Sequence, residues 1–309
     1  MTRSNLPASF TRHDAVHAHV SCARAMARHP ACHSVTGVFS MRVFLSLMFL
    51  VLGFGGPAVA CGPDTDCALG DRHYRIAMPD GHDGATPVGA IVFAHGYRGS
   101  ARGTMRNAGL RQVASDMGLA LVAVKSAGDD WDLPGSPSDM DSTGAAEMAY
   151  FDAVVADVTA RFGIDASRIM MSGFSAGGMV TWELACQRPD LFAGFVPLSG
   201  TFWQGPPASC TAPASLIHFH GTADRIVPLA GRPIGDTKQG DIAEVLAMYR
   251  AQGGFGSIER VGPLDDVSCQ RQSNEAGDVL EFCTFPGGHS FRRGFLSYAW
   301  DRLAAAGKV

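Results

Sequence analysis

The stretch 168-RIMMSGFSAGGMV-180 contains an apolar run, a glycine-rich turn and the start of a helix in direct succession. Its centre, residues 173–177, reads G-F-S-A-G and follows the pattern G-x-S-x-G at a junction from strand to helix. This is the arrangement of a nucleophile elbow, in which a sharp turn lifts a serine hydroxyl above the edge of a sheet. The glycines leave space where side chains would collide. The stretch therefore predicts Ser175 as a nucleophile.

A phosphate-binding turn is the competing interpretation of the same residues, because glycine-rich turns also precede helices at phosphate sites. The chain has no G-x-x-x-x-G-K-[ST] sequence, and no G-x-G-x-x-G falls at a strand–helix junction. The serine interpretation is therefore favoured.

Short apolar runs alternate with longer helical stretches on both sides of this turn. The predicted strands are 73–78, 90–94, 119–124, 168–172, 194–198, 216–220 and 279–285, and the predicted helices are 105–117, 143–162, 176–188, 240–251 and 291–305. Strands rich in Val, Ile and Phe with helical crossovers between them favour a mainly parallel sheet with helices on both faces. We expect an α/β fold in a single domain over residues 61–309, since no linker or repeat divides that range.

A serine nucleophile needs a base and an orienting acid, which follow it in the order Ser, Asp or Glu, His. His289, in the sequence 285-FPGGHSF-291, is the predicted base, because it alone leaves room for an intervening acid on another strand end. Asp224 follows the strand 216–220 and is the predicted acid. Asp265 and Asp266 are the alternatives.

Two further groups of residues surround this predicted triad. Backbone amides of Ala176 and Tyr97 are the expected oxyanion donors, the second from the loop 95-HGYRG-99 after an early strand, with His95 bracing that loop. Trp131 and Trp203 lie in loops rich in Gly, Pro, Ser and Asp, where they either contact substrate or pack their own loops. No metal site is expected.

Two histidines on one strand, His218 and His220, point to the same face of the sheet. A metal pair is imaginable there, but no third ligand is evident. A packing or supporting role is favoured.

The 309 residues are 46% hydrophobic and 17% charged, with a formal net charge of −4, and these values favour a globular chain. The acidic body has no cluster of Lys and Arg, which argues against a nucleic-acid partner.

Residues 41–60, MRVFLSLMFLVLGFGGPAVA, have the three-part pattern of a secretory signal peptide, and residues 1–40 are interpreted as a non-native or disordered leader. The predicted location is secreted or periplasmic, without a stable membrane span. A lipid anchor at Cys61 is a weaker alternative.

Six of the eight cysteines follow the predicted signal peptide. An even number in an exported chain predicts disulfides, although six cysteines permit 15 connectivities. Pairing neighbours in sequence predicts Cys61–Cys67, Cys186–Cys210 and Cys269–Cys283.

Four blocks in order, HGYRGS at 95–100, GFSAGGM at 173–179, HGTADRIVP at 220–228 and PGGHS at 286–290, resemble the poly(3-hydroxybutyrate) depolymerase and feruloyl esterase family of α/β-hydrolases. The resemblance spans about residues 70–305. It implies an α/β-hydrolase catalytic domain with Ser175, Asp224 and His289 as triad, acting on carboxylic esters without a cofactor. Trp131 also matches a place where that family carries a Trp near its substrate cleft.

The expected function is a secreted serine esterase acting on hydroxybutyrate oligomers, polyester or short-chain acyl esters. Feruloyl or acetylxylan esters of plant polysaccharide are the alternative substrates. An exopeptidase or a non-catalytic binding protein that keeps the fold is a weaker hypothesis.

Overall fold

The computed structural model describes residues 61–309. The predicted leader, 1–40, and signal peptide, 41–60, lie outside the described residues and stay predictions. Within the described part of the chain, no helix is both long enough and apolar enough to cross a bilayer.

Strands and helices alternate along most of the described chain. The strands are β1 (Cys67–Leu69), β2 (Arg72–Ala77), β3 (Val88–Ala94), β4 (Ala120–Val124), β5 (Ile164–Phe174), β6 (Gly194–Leu198), β7 (Leu216–Gly221), β8 (Arg232–Ile234), β9 (Thr237–Gln239), β10 (Glu259–Leu264), β11 (Val267–Ser273) and β12 (Val279–Phe285). The helices are α1 (Ala101–Arg106), α2 (Ala108–Asp116), α3 (Ala145–Phe162), α4 (Ala176–Gln187), α5 (Ile242–Gly253) and α6 (Gly294–Ala305).

Ten of these strands form one sheet in the order β1-β2-β4-β3-β5-β6-β7-β12-β11-β10. The six from β4 to β12 are parallel to one another. Antiparallel pairs extend the sheet at both edges, β1 and β2 at one and β11 and β10 at the other. Strands β8 and β9 form a separate hairpin. The expected α/β fold with a mainly parallel sheet is confirmed.

The sheet is buried on both faces because its strands present apolar side chains alternately to either side. In β3, Ala90 and Val92 belong to the core under α3, α4 and α5, whereas Ile91 and Phe93 belong to the core under α1, α2 and α6. Helices on both faces are what a parallel sheet with helical crossovers requires.

All seven predicted strands are present, with small shifts at some ends. The predicted helix 105–117 is instead two helices, α1 and α2, that meet at Asn107. The side-chain oxygen of Asn107 accepts a hydrogen bond from Leu110 N at 3.1 Å, which starts a new helix where the sequence pattern runs on without a break. Strands β1 and β8 to β11 were not expected.

Three disulfides join the predicted partners, Cys61–Cys67, Cys186–Cys210 and Cys269–Cys283. The predicted pairing is therefore confirmed. Cys186–Cys210 connects the end of α4 to the loop before β7, and Cys269 and Cys283 lie opposite each other in β11 and β12.

Strands β3, β5, β7 and β12 are parallel, so their carboxyl ends meet at one edge of the sheet. His95, Ser175, Asp224 and His289 each follow one of these strands within four residues. The topology therefore assembles residues distant in sequence into one site.

Candidate active site

Ser175 occupies the turn between β5 and α4 in a backbone conformation that is rare for residues other than glycine, with φ of +61°. Its amide donates to Leu198 O at 2.9 Å, which holds the turn against β6. A Cβ on Gly173 would lie 2.2 Å from Gly177 O, and one on Gly177 would lie 2.0 Å from Ala94 O. Both glycines are therefore required for α4 to pack this closely against the strand ends.

The imidazole of His289 lies between Ser175 and Asp224. Its Nε2 is 2.8 Å from Ser175 Oγ, and its Nδ1 is 2.7 Å from Asp224 Oδ2. With Nδ1 protonated, the ring donates to the carboxylate and presents an unprotonated Nε2 to the serine hydroxyl. A face of the ring packs against Phe174, at 4.7 Å between ring centroids.

Asp224 is buried and its second carboxylate oxygen is also occupied. Oδ1 accepts hydrogen bonds from Ile226 N at 2.8 Å and Val227 N at 2.9 Å. Two backbone donors and the imidazole therefore fix the orientation of this carboxylate.

The alternative acids lie elsewhere, at the turn between β10 and β11. Asp266 forms a two-pronged ion pair with Arg292, one contact of which is 2.8 Å from Oδ2 to the guanidinium. Among residues 61–309, Asp224 is the carboxylate that contacts His289.

The two backbone amides expected to bind an oxyanion donate no hydrogen bond to any described residue. Neither Tyr97 N nor Ala176 N donates to a protein atom there. Gly96 brings the first loop against the elbow, since a Cβ on it would lie 3.4 Å from Ser175 Cβ. Amide donors without protein acceptors beside the Ser175 hydroxyl have the arrangement that stabilisation of negative charge there would require.

His95 braces that loop, as expected. Its Nε2 accepts from Ser126 N at 3.2 Å, so its Nδ1 carries the proton and donates to Gly96 O at 2.8 Å. Burial lowers the pKa of His95 to about 4, which keeps the ring neutral at neutral pH.

Trp131 lies in a different place from the one expected for a substrate contact. Its indole is fully buried, packs on His95 and Phe151, and donates from Nε1 to His95 O at 2.8 Å. A side chain with no exposed surface cannot touch substrate in this conformation, so the expectation of a contact is corrected to support of the His95 loop. Trp203, by contrast, lines the cleft and is 8% exposed.

A cleft of about 480 Å³ opens beside Ser175. Its wall is mostly apolar, with a few polar groups among Tyr97, Asp130, Pro137, Ser138, Ala176, Met179, Trp203, Ile226, Val227, Arg232, Ile234 and Gln239. Burial raises the pKa of Asp130 to about 6. An apolar cleft with a few placed polar groups is typical of a small-molecule site.

The family model described as Phospholipase/Carboxylesterase matches residues 135–234. An esterase-named protein of Nocardia uniformis, NocK, is 31% identical over 169 residues, which cover 52% of this chain and 47% of that protein. Feruloyl esterase C of Emericella nidulans is 26% identical over 167 residues, which cover 53% of this chain and 58% of that enzyme. The chain thus spans about half the length of these curated relatives.

An acetyl xylan esterase from Aspergillus awamori shares the fold, with a TM-score of 0.56 at 16% identity over 78% of this chain and 96% of that one. The chain has the α/β-hydrolase fold. In this chain, the matched range of the family model begins at Gly135, before α3, ends at Ile234 in β8, and includes Ser175 and Asp224.

The residues that line the cleft from the β8–β9 hairpin were not among those predicted from the sequence. Arg232, Ile234 and Gln239 line the cleft from that hairpin, which Thr237 Oγ1 attaches to Gly135 O at 2.7 Å. Each strand of the hairpin has only three residues and no alternating apolar pattern. No signal in the sequence marked these residues.

Proposed function

We propose that this α/β-hydrolase is a secreted or periplasmic serine esterase in which Ser175, His289 and Asp224 act as the catalytic triad. The observation that carries the proposal is the unbroken hydrogen-bonded chain from Ser175 Oγ through the imidazole of His289 to Asp224. Its geometry lies within the range in which a base can take a proton from a nucleophile.

In the proposed reaction, Ser175 Oγ attacks the ester carbonyl carbon while His289 Nε2 takes the hydroxyl proton. The tetrahedral intermediate collapses when the bond to the alcohol oxygen breaks, and His289 returns the proton to that oxygen. Water then attacks the acyl-enzyme with His289 as base, which releases the acid and restores Ser175. Asp224 holds the imidazole in the required tautomer and stabilises its protonated form.

The amides of Tyr97 and Ala176 are the proposed donors to the oxyanion. Their hydrogen bonds strengthen as the carbonyl oxygen gains charge, and removal of one such donor typically costs about 10²–10³ in kcat. The reaction as proposed uses neither metal nor cofactor.

The proposed substrates are carboxylic esters whose scissile bond reaches Ser175 through the cleft, namely hydroxybutyrate oligomers or polyester and short-chain acyl esters. The names of the relatives support the alternative, feruloyl or acetylxylan esters of plant polysaccharide. Three disulfides support an oxidising compartment, in agreement with the predicted signal peptide.

The test is hydrolysis of an ester panel by residues 61–309 produced in an oxidising compartment. The panel contains p-nitrophenyl acetate to octanoate, methyl ferulate, acetylated xylan and hydroxybutyrate oligomers. We expect the wild type to cleave a subset and Ser175→Ala to cleave none. Labelling by a fluorophosphonate should also require Ser175. A folded wild type that neither cleaves any ester nor takes the label would overturn the proposal and favour a binding protein.

A further inference from the structure

Two buried histidines outside the triad lie on the face of β7 that packs against α4. His218 and His220 are both fully buried, and their rings are coplanar within 1° at 5.1 Å between centroids. The arrangement is edge to edge, with His218 Nε2 and His220 Nδ1 2.8 Å apart. The two imidazoles are thus joined by a hydrogen bond rather than by a stack of faces.

Both ends of this pair have fixed partners. At one end, Trp182 Nε1 donates to His218 Nδ1 at 3.0 Å. At the other end, His220 Nε2 is 2.7 Å from Val227 O. An indole nitrogen can only donate and a carbonyl oxygen can only accept.

The donor at one end and the acceptor at the other determine which ring nitrogens of His218 and His220 carry protons. Because His218 Nδ1 accepts, His218 Nε2 carries the proton and donates to His220 Nδ1. His220 Nε2 must then carry the proton that bonds to Val227 O. Both rings are therefore neutral Nε2–H tautomers, and burial lowers the pKa of each.

With the protons placed in this way, His218 and His220 are not available to bind a metal ion. All four ring nitrogens are engaged in hydrogen bonds, so none offers a free lone pair. The charged groups that face these two histidines are Asp224, whose Oδ2 is 3.6 Å from His220 Nε2, and His289 beyond it. A supporting role fits these contacts, and a metal does not.

The series of hydrogen bonds from Trp182 through His218 and His220 to Val227, called here the hydrogen-bond chain, connects the two elements that carry the nucleophile and the acid. Trp182 belongs to α4, which begins directly after Ser175. Val227, at the other end, donates its own amide to Asp224 Oδ1. One line of hydrogen bonds therefore runs from the nucleophile helix through β7 to the loop that holds the carboxylate.

We propose that Trp182, His218 and His220 are positioning residues that hold the loop of Asp224 at a fixed distance from the helix of Ser175. The proposal rests on the proposed triad for its effect on catalysis, whereas the proton assignment stands on geometry alone. The two parts are tested separately.

The proton assignment is tested by ¹⁵N-histidine NMR of the wild type at neutral pH, which distinguishes Nδ1–H, Nε2–H and doubly protonated rings. We expect two neutral Nε2–H imidazoles whose protons exchange slowly with water and whose signals disappear in His218→Gln and His220→Gln, respectively. A protonated ring or an Nδ1–H tautomer at either residue would overturn the assignment. This result does not depend on whether the protein cleaves esters.

The positioning role is tested by kinetics of His220→Leu, His220→Gln and Trp182→Phe on the best ester of the panel. His220→Leu breaks the chain, and we expect kcat to fall about 10- to 100-fold with KM within about 2-fold, as for other supporting hydrogen bonds. In His220→Gln the side-chain amide can still donate to Val227 O, so most of kcat should return. Trp182→Phe removes a single donor and should give an intermediate loss in a folded protein.

The matched control is Ile217→Val, on the same strand but on its opposite, apolar face. It should lower the melting temperature without changing kcat of the folded protein. Wild-type kcat in folded His220→Leu and Trp182→Phe would overturn the positioning role. So would equal losses in His220→Leu and His220→Gln, since a role limited to packing does not distinguish a donor from its absence. If the wild type itself cleaves no ester, the proposed function fails, and the NMR result still decides the proton assignment.

Discussion

Two polar side chains, Glu183 and Gln239, are buried without a full set of hydrogen-bond partners among the described residues, which is costly in free energy. Glu183 on α4 is 6% exposed and accepts one hydrogen bond, from Gln187 Nε2 at 2.8 Å. Gln239 on β9 is 5% exposed, and its Oε1 has no partner within the described residues. Buried groups of this kind reduce stability unless something else in the site uses them.

Glu183 should make stability depend on pH. Burial raises its pKa from 4.5 to about 7, so between these values the folded protein keeps a proton that the unfolded chain has released. The stability contributed by this group is therefore present below about pH 4.5 and is lost as the pH rises through 7. At about 1.4 kcal/mol per pKa unit, the loss is about 3 kcal/mol.

Glu183→Gln should abolish that decline and raise the free energy of unfolding above pH 7, measured by urea titration from pH 4 to 9. Asp190→Asn changes an exposed carboxylate near the end of the same helix and should leave the profile unchanged. An unaltered decline in Glu183→Gln would show that other groups cause it.

Gln239→Leu should keep or slightly raise the melting temperature, because no hydrogen bond of the amide oxygen is lost and a buried unpaired oxygen is removed. If a substrate hydroxyl pairs with this amide, kcat/KM should fall for a 3-hydroxybutyrate ester but not for the matching butyrate ester. Differential scanning fluorimetry and paired kinetics measure the two effects. A marked drop in melting temperature would mean that the amide is paired, and equal changes for both esters would remove it from substrate recognition.

At the scale of elements, the site depends on how closely α4 approaches the carboxyl ends of β3 and β5. Gly177, in the first turn of α4, faces Ala94 O at the end of β3. Any side chain there must separate the helix from the strand, and with them the two loops that carry the proposed oxyanion donors.

Gly177→Ala should therefore lower kcat by about 10²-fold or more and destabilise the fold, since backbone atoms cannot move aside as a flexible side chain can. The control is Gly294→Ala, at the start of α6, where a Cβ would meet no atom within 4 Å. That substitution should leave activity unchanged and should not reduce stability. Thermal unfolding and ester hydrolysis test both variants, and near-normal turnover by Gly177→Ala would contradict the close approach.

The elements that sequence patterns predicted well are the buried ones. Strands β6 and β12 have the predicted bounds because each is a mostly apolar, mostly buried run followed within two residues by Gly or Pro. Strands β8 and β9 were missed because three residues, most of them exposed or polar, are too few to carry a periodic signal. Their pairing depends on tertiary contacts, such as Thr237 with Gly135, that local sequence does not contain.

Some residues of the candidate site could likewise be predicted from the sequence, and one could not. Ser175, Asp224 and His289 could be predicted because each follows a recognisable strand within a short motif, and the structure brings them into contact. The position of Trp131 could not be predicted, because local sequence does not determine whether a loop tryptophan faces the core or the cleft. Packing on Phe151 and a bond to His95 O decide it.

Over the whole molecule, the Cys186–Cys210 disulfide holds a loop that reaches the cleft. It closes 24 residues of chain that include Trp203, whereas Cys61–Cys67 closes six residues at the sheet edge. Loop entropy predicts losses of about 3 and about 2 kcal/mol when each bond is removed.

The double variant Cys186→Ala with Cys210→Ala should lower stability and also raise KM, because the wall formed by Trp203 is released. The matched variant Cys61→Ala with Cys67→Ala should lower stability alone. Urea unfolding and steady-state kinetics separate the two effects. An unchanged KM in the Cys186/Cys210 variant would mean that the loop around Trp203 is held by other contacts, and an equal rise in both variants would mean that KM follows overall stability.

The turn between β10 and β11 divides the chain at a useful place. Asp265 and Asp266 are exposed there, and each of the three disulfides within residues 61–309 lies wholly on one side of them. Residues 61–265 contain Ser175 and Asp224, and residues 266–309 contain His289 on the segment after β12, which pairs with β7. Under the proposed triad, each separately produced fragment lacks a catalytic residue and is expected to be inactive, so ester cleavage would report their association. The molecule lends itself to use as a split reporter for the proximity of two fused proteins in oxidising compartments.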